Sequence, residues 1–322
     1  NENKRTPISG GIVMNKYAQK IPAILLVLFF VALVAPTQAQ RKKKKKRKVK
    51  TIEVNTPKVT LDMSYRDKEE VSEMDFEFDA EAKNYMLMIA CDNYKYWRPL
   101  NNPVKDAQDV KKVLIKKYGF TQENVFELMN NEVTPAKVEQ AFDKLVDVGT
   151  NRDNLIIYYS GHGYYDKKYD EGFWVPVDGR TTDKSSYIRN TDIVKYLKAL
   201  KFKHVFLIID ACFSGSLFSQ GHRGYVDKVE ALKSRWGFTS GSLEFVSDGK
   251  KGENSPFAKQ LLDFLKGNVQ DKFPVSQLIQ SVKVAVANNT KQLPVGKPIQ
   301  NVGDAGGEFI FYNRQGTNHK DK

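Results

Sequence analysis

The chain has 322 residues, of which 41% are hydrophobic and 11% aromatic, enough apolar material for the core of one large domain or two small ones. Its formal net charge is +13, but nine positive charges lie in residues 41–50 and a net three in residues 1–40, leaving +1 for residues 51–322 and no basic-surface argument for nucleic acid binding by the folded part. Two cysteines exclude a disulfide scaffold and a four-cysteine zinc site, and the histidines (His162, His204, His222, His319) show no ligand spacing, so no metal site is expected and a metal-centred hydrolase has little support.

Asn1 is not a start residue, and Met14, with Lys16 and Lys20 behind it, reads as the beginning of a signal sequence that ends at Ala39. Residues 21–35 form an apolar stretch short of a comfortable membrane span, and Thr37-Gln38-Ala39 offers small residues for cleavage before Gln40. Residues 1–13 are therefore expected to lie upstream of the signal peptide proper, and residues 14–39 to direct export to the periplasm or the exterior. The competing placement is the cytoplasmic face behind an uncleaved anchor, because the dense positive charge from Arg41 through Lys50 resists translocation. That tract reads first as a solvated arm, and more sharply as a contact for an anionic membrane surface or a processing site. Residues 67–81 carry eight acids against Lys68, so residues 40–83 are expected to be a basic tract plus an acidic linker or propeptide able to lie against it.

From Asn84 strands alternate with amphipathic helices, the pattern of an α/β fold with a mostly parallel sheet of about six strands and helices on both faces. Residues 85–91 read as the first strand, with Cys91 a small buried hydrophobe. Asn102 and Pro103 cap and open a helix that turns Ala107, Val110, Val113 and Leu114 inward and closes at Tyr118-Gly119. A short strand follows at 125–128, then a helix opened by Thr134-Pro135 with Val138, Ala141, Phe142 and Leu145 inward. Residues 155–159 form a strand ending at Ser160-Gly161-His162-Gly163, and Thr191 caps a helix through Leu200. Residues 205–209 are continuously apolar, as in a strand covered on both faces, and stop at Asp210-Ala211-Cys212-Phe213-Ser214-Gly215. Beyond them come an irregular loop at 219–235, a strand at 242–247, helices opened by Ser255-Pro256 and spanning 275–288, and a final strand at 307–312.

The two polar strand ends carry a thiol and an imidazole fifty residues apart, Cys212 and His162. In parallel sheets ligands sit beyond the carboxyl ends of the strands. With these motifs, residues 84–313 resemble the caspase and metacaspase superfamily of cysteine peptidases, in the form of a bacterial caspase-family protein; the spacing of His before Cys is a known signature of caspases. The resemblance implies a three-layer caspase-like fold, with residues 84–218 large-subunit-like, 173–179 within them similar to the short strand and turn that follow the His, 219–235 an intersubunit-like loop, 236–313 small-subunit-like, and 314–322 a polar tail. The Asp two before Cys212 is similar to metacaspases, whereas Phe213 stands where many of them have His.

The resemblance further implies a Cys212–His162 dyad, an oxyanion hole made by the main-chain N–H groups of Gly163 and Cys212, and a first substrate pocket lined by Asp210, Ser160 and Asp106. Carboxylates there pair with Arg or Lys and repel Asp, so the expected activity is endopeptidase cleavage of protein or peptide substrates after basic residues. Self-processing is expected in residues 41–50 and in the 219–235 loop, at Arg223, Lys228, Lys233 or Arg235. No cofactor is required; calcium has no support from alignable acids, since Asp166, Asp170 and Glu171 read as acids in a loop. A serine hydrolase is disfavoured, because Gly237-Phe238-Thr239-Ser240-Gly241 places its serine one position late for a nucleophile elbow. The rival class is an idle caspase fold used as a binding module and tethered to anionic surfaces by the basic tract.

Overall fold

The computed structural model describes Asp79 and residues 81–211, 230–241 and 248–314. Strand β1 (Asn84–Ala90) is followed by helix α1 (Pro103–Lys117), β2 (Val125–Met129), α2 (Pro135–Val148) and β3 (Asn154–Ser160). A small antiparallel sheet of β4 (Gly163–Asp166), β5 (Glu171–Trp174) and β6 (Ile188–Arg189) then leads to α3 (Asn190–Ala199) and β7 (His204–Asp210). The remaining elements are β8 (Ser234–Thr239), α4 (Pro256–Gly267), β9 (Lys272–Pro274), α5 (Val275–Asn289), β10 (Val295–Pro298) and β11 (Ile310–Tyr312). No helix among the described residues is long and apolar enough to cross a membrane.

Among the described residues the main sheet has six strands in the order β10-β8-β7-β3-β1-β2, every neighbouring pair parallel except β10 with β8. The apolar runs in β1, β3 and β7 follow from this placement, since side chains of alternate residues enter two different cores. Leu87, Ile89, Leu155, Ile157, Leu207 and Ile209 pack with α2 and α3 on one face. Met86, Met88, Ile156, Tyr158, Phe206 and Ile208 pack with α1, α4 and α5 on the other. Each such fully buried side chain contributes about 1.5–3 kcal/mol against exposure, so a polar substitution at any of them threatens the whole sheet.

The inward faces predicted for α1 and α2 are buried as expected. Pro opens α1, α2 and α4, and the Thr134 and Ser255 hydroxyls cap the last two by accepting from Lys137 N at 3.3 Å and Ala258 N at 3.0 Å. Two expected caps differ. Asn102 holds the N-cap position of α1 but its side chain is committed elsewhere, and the Val104 N–H donates instead to Asp92 Oδ1 at 2.9 Å. Thr191 lies inside the first turn of α3, after an N-cap at Arg189, and its hydroxyl donates to Glu171 Oε2 at 3.0 Å.

The larger correction concerns residues 219–235, expected to be loop throughout. Residues 212–229 lie outside the described residues, but Ser234 and Arg235 begin β8, a fully buried strand paired with β7. Arg235 obscured it, because a cation inside a strand reads as surface. Its guanidinium instead donates to the carbonyls of Leu200, Phe202, Lys203 and Ser234 at 2.8–3.2 Å, closing the carboxyl end of α3. The final strand is also shorter than 307–312 and pairs with β9 in a separate two-stranded ribbon. The strand expected at 242–247 lies outside the described residues.

Candidate active site

Ser160 pairs in register with Asp210, so β3 and β7 end side by side at the carboxyl edge of the sheet. From that edge β3 passes through Gly161 to His162. Gly161 is required there: a Cβ would stand 2.5 Å from the Tyr94 hydroxyl. The same hydroxyl accepts the His162 main-chain N–H at 2.7 Å, while the Tyr159 hydroxyl donates to the His162 carbonyl at 2.6 Å and Val175 N donates to it at 3.0 Å.

The His162 ring is held between Tyr94 and Trp97, with ring centroids 4.7 and 5.1 Å away. Its Nε2 lies 2.8 Å from the Arg98 carbonyl oxygen. A carbonyl only accepts, so this contact assigns the proton to Nε2 and leaves Nδ1 as the basic nitrogen. Burial lowers the His162 pKa, opposed by the hydrogen bond to Arg98, so the ring is neutral near pH 7. Cys212, two residues past the end of β7, lies outside the described residues, as does its main-chain N–H. Gly163 opens β4, opposite Trp174.

Asp210 and Ser160 share one face of the sheet, the face covered by α1, and Asp106 on α1 completes the set. Both carboxyls are buried. They meet on Ser255: its Oγ donates to Asp210 Oδ2 at 2.5 Å, while its main-chain N–H lies 3.2 Å from Asp106 Oδ2. Asn254 Nδ2 adds a bond to Asp106 Oδ1 at 2.8 Å. Asp210 Oδ1 is buried and has no hydrogen-bond partner among the described residues. Burial pushes the Asp106 pKa up to about 8, reinforced by the neighbouring Asp210. Burial likewise pushes Asp210 up to about 6, opposed by the Ser255 and Ser240 hydroxyls. Between these values the pair carries a single negative charge.

Several residues that build this region gave no functional signal in the sequence. Ser255 and Asn254 read only as a helix start. Asn102, fully buried, donates through Nδ2 to the carbonyls of Asp248 at 2.5 Å and Lys250 at 2.9 Å, and its Oδ1 accepts Gly252 N at 3.0 Å. The Asp248 carboxylate returns the contact by accepting Asn101 N at 2.5 Å and Asn102 N at 3.3 Å. The segment that delivers Asn254 and Ser255 is thereby fastened to the start of α1.

Cys91 is fully buried, donates to the Asn93 carbonyl at 3.4 Å, and has its thiol pKa pushed up to about 12 by burial, which makes it inert. Asp166 is bonded to Lys184, Asp170 accepts from Tyr165, and Glu171 accepts from Thr191 at 3.0 Å, so these acids already have partners within the fold. Among the described residues no group of three His, Cys, Asp or Glu side chains is placed to hold a metal ion.

The family model described as Caspase domain matches residues 83–299. Metacaspase-4 of Arabidopsis thaliana is 25% identical over 250 residues, covering 65% of this chain and 58% of that protein. Metacaspase-1 of Eremothecium gossypii is 28% identical over 145 residues, covering 40% of this chain and 31% of that protein, so the match spans less than two thirds of either relative. A crystal structure of a protein from Geobacter sulfurreducens superposes with a TM-score of 0.49 at 20% identity, covering 67% of this chain and 93% of that one. With the family model spanning well over half of its length, the chain belongs to the caspase-domain family of peptidases, among whose metacaspases its relatives are found.

Proposed function

We propose that the protein is a cysteine endopeptidase that cleaves after Arg or Lys, with Cys212 as nucleophile and His162 as its acid–base partner. The observation that carries the specificity is the buried Asp106–Asp210 pair joined at Ser255, with one Asp210 oxygen unpartnered among the described residues. A buried acceptor without a donor is costly, and a substrate guanidinium or ammonium supplies the missing donor and the opposite charge together. The single negative charge of the pair suits one cation.

In the proposed reaction the Cys212 thiol gives its proton to His162 Nδ1, and the thiolate attacks the scissile carbonyl carbon. Main-chain N–H groups of Cys212 and Gly163 hold the resulting oxyanion. Collapse expels the amine, which takes the proton from His162, and leaves a thioester that water then hydrolyses. The Arg98 carbonyl and the Tyr94 and Trp97 rings keep the imidazole oriented through both steps. A family of fluorogenic peptides varied at the residue before the cut tests the reading: cleavage confined to Arg and Lys peptides supports it, and equal cleavage of neutral or acidic peptides overturns the pocket assignment.

Self-processing belongs to the same proposal, at residues 41–50 and at Arg223, Lys228 or Lys233, but not at Arg235, whose place inside β8 denies it to a peptidase cleft. Export through residues 14–39, with residues 41–50 resting on an anionic membrane surface, is the accompanying proposal for its location; a chain retained on the cytoplasmic face in a fractionation experiment overturns the first half of it.

A further inference from the structure

In a trans peptide the C=O and the N–H point in opposite directions, so whatever holds the carbonyl of one residue also aims the N–H of the next. We propose that Tyr159 is a positioning residue for catalysis: by gripping the His162 carbonyl it aims the Gly163 N–H at the oxyanion. The proposal rests on the peptidase reading above, in which that N–H is one of two oxyanion donors, and adds the residue that sets it.

Three observations support it. The first is the grip itself. The Tyr159 hydroxyl donates to the His162 carbonyl oxygen at 2.6 Å, and Val175 N donates to the same oxygen at 3.0 Å. Tyr159 is fully buried, its ring stacked on that of Trp174 with centroids 4.3 Å apart and planes 12° from parallel. Both rings belong to the core on the α2–α3 face. The carbonyl is therefore turned toward that core and the Gly163 N–H away from it.

The second is the ladder of the small sheet. Gly163 stands opposite Trp174 in the β4–β5 pair, next to the bond from Val175 to His162. Opposed residues of an antiparallel pair alternate between hydrogen-bonded and non-hydrogen-bonded, so with His162 bonded to Val175 the Gly163 main chain faces away from β5. Side chain and ladder thus set one peptide plane in the same sense.

The third is the space left for the hydroxyl. A Cβ on Gly161 would stand 3.1 Å from the Tyr159 hydroxyl, so the turn between the two residues carries no side chain to crowd it. The Tyr94 hydroxyl meanwhile accepts the His162 N–H at 2.7 Å and so holds the preceding peptide unit. The planes on both sides of the His162 Cα are each fixed by a tyrosine. A carbonyl that accepts two hydrogen bonds also polarises its amide, which makes the N–H on the other side a stronger donor. Tyr159 therefore both directs and strengthens the Gly163 donor.

Tyr159→Phe in the full chain tests this. Phe keeps the stack on Trp174, and Val175 N still satisfies the carbonyl, so the fold should survive while the peptide plane loses its aim. For an Arg peptide kcat should fall about tenfold to a hundredfold, less than for loss of a whole oxyanion donor, with KM kept within about twofold. Affinity for a peptide aldehyde ending in Arg should fall by the same factor. Its adduct forms as Cys212 Sγ bonds to the aldehyde carbon and the thiol proton passes to the oxygen, which then stands where the oxyanion does. Alkylation of Cys212 by iodoacetamide forms no oxyanion and should keep its parent rate and pH profile, which a general loss of packing would not. If the variant fails to fold, Trp174→Phe, which only loosens the ring beside Tyr159, should give the same signature at smaller size. Unchanged kcat, aldehyde affinity that ignores these substitutions, or alkylation slowed as much as cleavage overturns the proposal. A parent that cleaves no peptide fails the peptidase reading and this proposal with it, whereas a cleaving parent beside an unmoved variant fails this proposal alone.

Discussion

Replacing Ser255 by Ala tests the pocket most directly, because one hydroxyl both caps α4 and donates to Asp210. Loss of the cap costs about 1 kcal/mol, and loss of the bond to Asp210 about another 1–2 kcal/mol when that group is ionised. The melting temperature should fall by about 4–10 °C for a domain of this size. The sign of the pH dependence follows from the Asp210 pKa, raised from 3.8 to about 6. The native state then holds a proton that the unfolded chain has released, so this group's contribution to stability falls as pH rises from about 4 through 6. Without the hydroxyl its pKa rises further and that window extends upward. The same ionisation governs activity, since a basic substrate needs the charged carboxylate. The acid limb of kcat/KM for an Arg peptide should move to higher pH, with little change on the alkaline side. At a fixed pH below the limb, the rate should drop about tenfold for every pH unit by which the limb moves. Rates measured from about pH 5 to 9 with Arg and neutral peptides decide the matter. An unmoved limb, or an Arg-to-neutral ratio equal to that of the parent, would refute the assignment of Asp210 to the pocket.

Cys212→Ala and His162→Ala should each abolish peptide cleavage while Cys91→Ala keeps most of it, read by initial rates on one Arg peptide; equal loss in all three would mean that the pair is misassigned. Asn102→Ala removes three bonds to the segment that delivers Asn254 and Ser255, so it should destabilise the domain by roughly 2–4 kcal/mol in denaturant titration and lower kcat/KM for basic peptides more than for neutral ones. Arg235→Ala removes hydrogen bonds to four carbonyls, of which that of Lys203 keeps the Ser234 N–H as a donor, and should cost more than about 3 kcal/mol, against less than about 0.5 for the neighbouring exposed Lys233→Ala. Intact masses of the parent and of Cys212→Ala, incubated side by side with and without calcium, should differ by cuts after Lys or Arg within residues 41–50 or 219–233; identical full-length masses would end the self-processing proposal.

What could be read from residues alone were features with a local cause. Continuous apolar runs marked β1, β3 and β7 because both faces of those strands are buried, and Pro after Thr134 or Ser255 marked helix starts because capping is settled within a turn. The polar end of β3, Ser160-Gly161-His162, was legible for the same reason, which brought His162 forward from the sequence; the Cys212 motif lies outside the described residues. Features whose cause lies far along the chain were not legible. β8 was missed because Arg235 finds its acceptors at Leu200, Phe202 and Lys203, more than thirty residues away. Ser255 looked like a cap and nothing more, since Asp210, 45 residues distant, becomes its neighbour only when α4 packs beside β7. The acceptor that fixes the His162 tautomer is a main-chain carbonyl at Arg98, a group every residue carries. Tertiary structure alone decides which carbonyl, hydroxyl or amide stands opposite a given side chain, because hydrogen bonds reach about 3 Å in space whatever the distance along the chain.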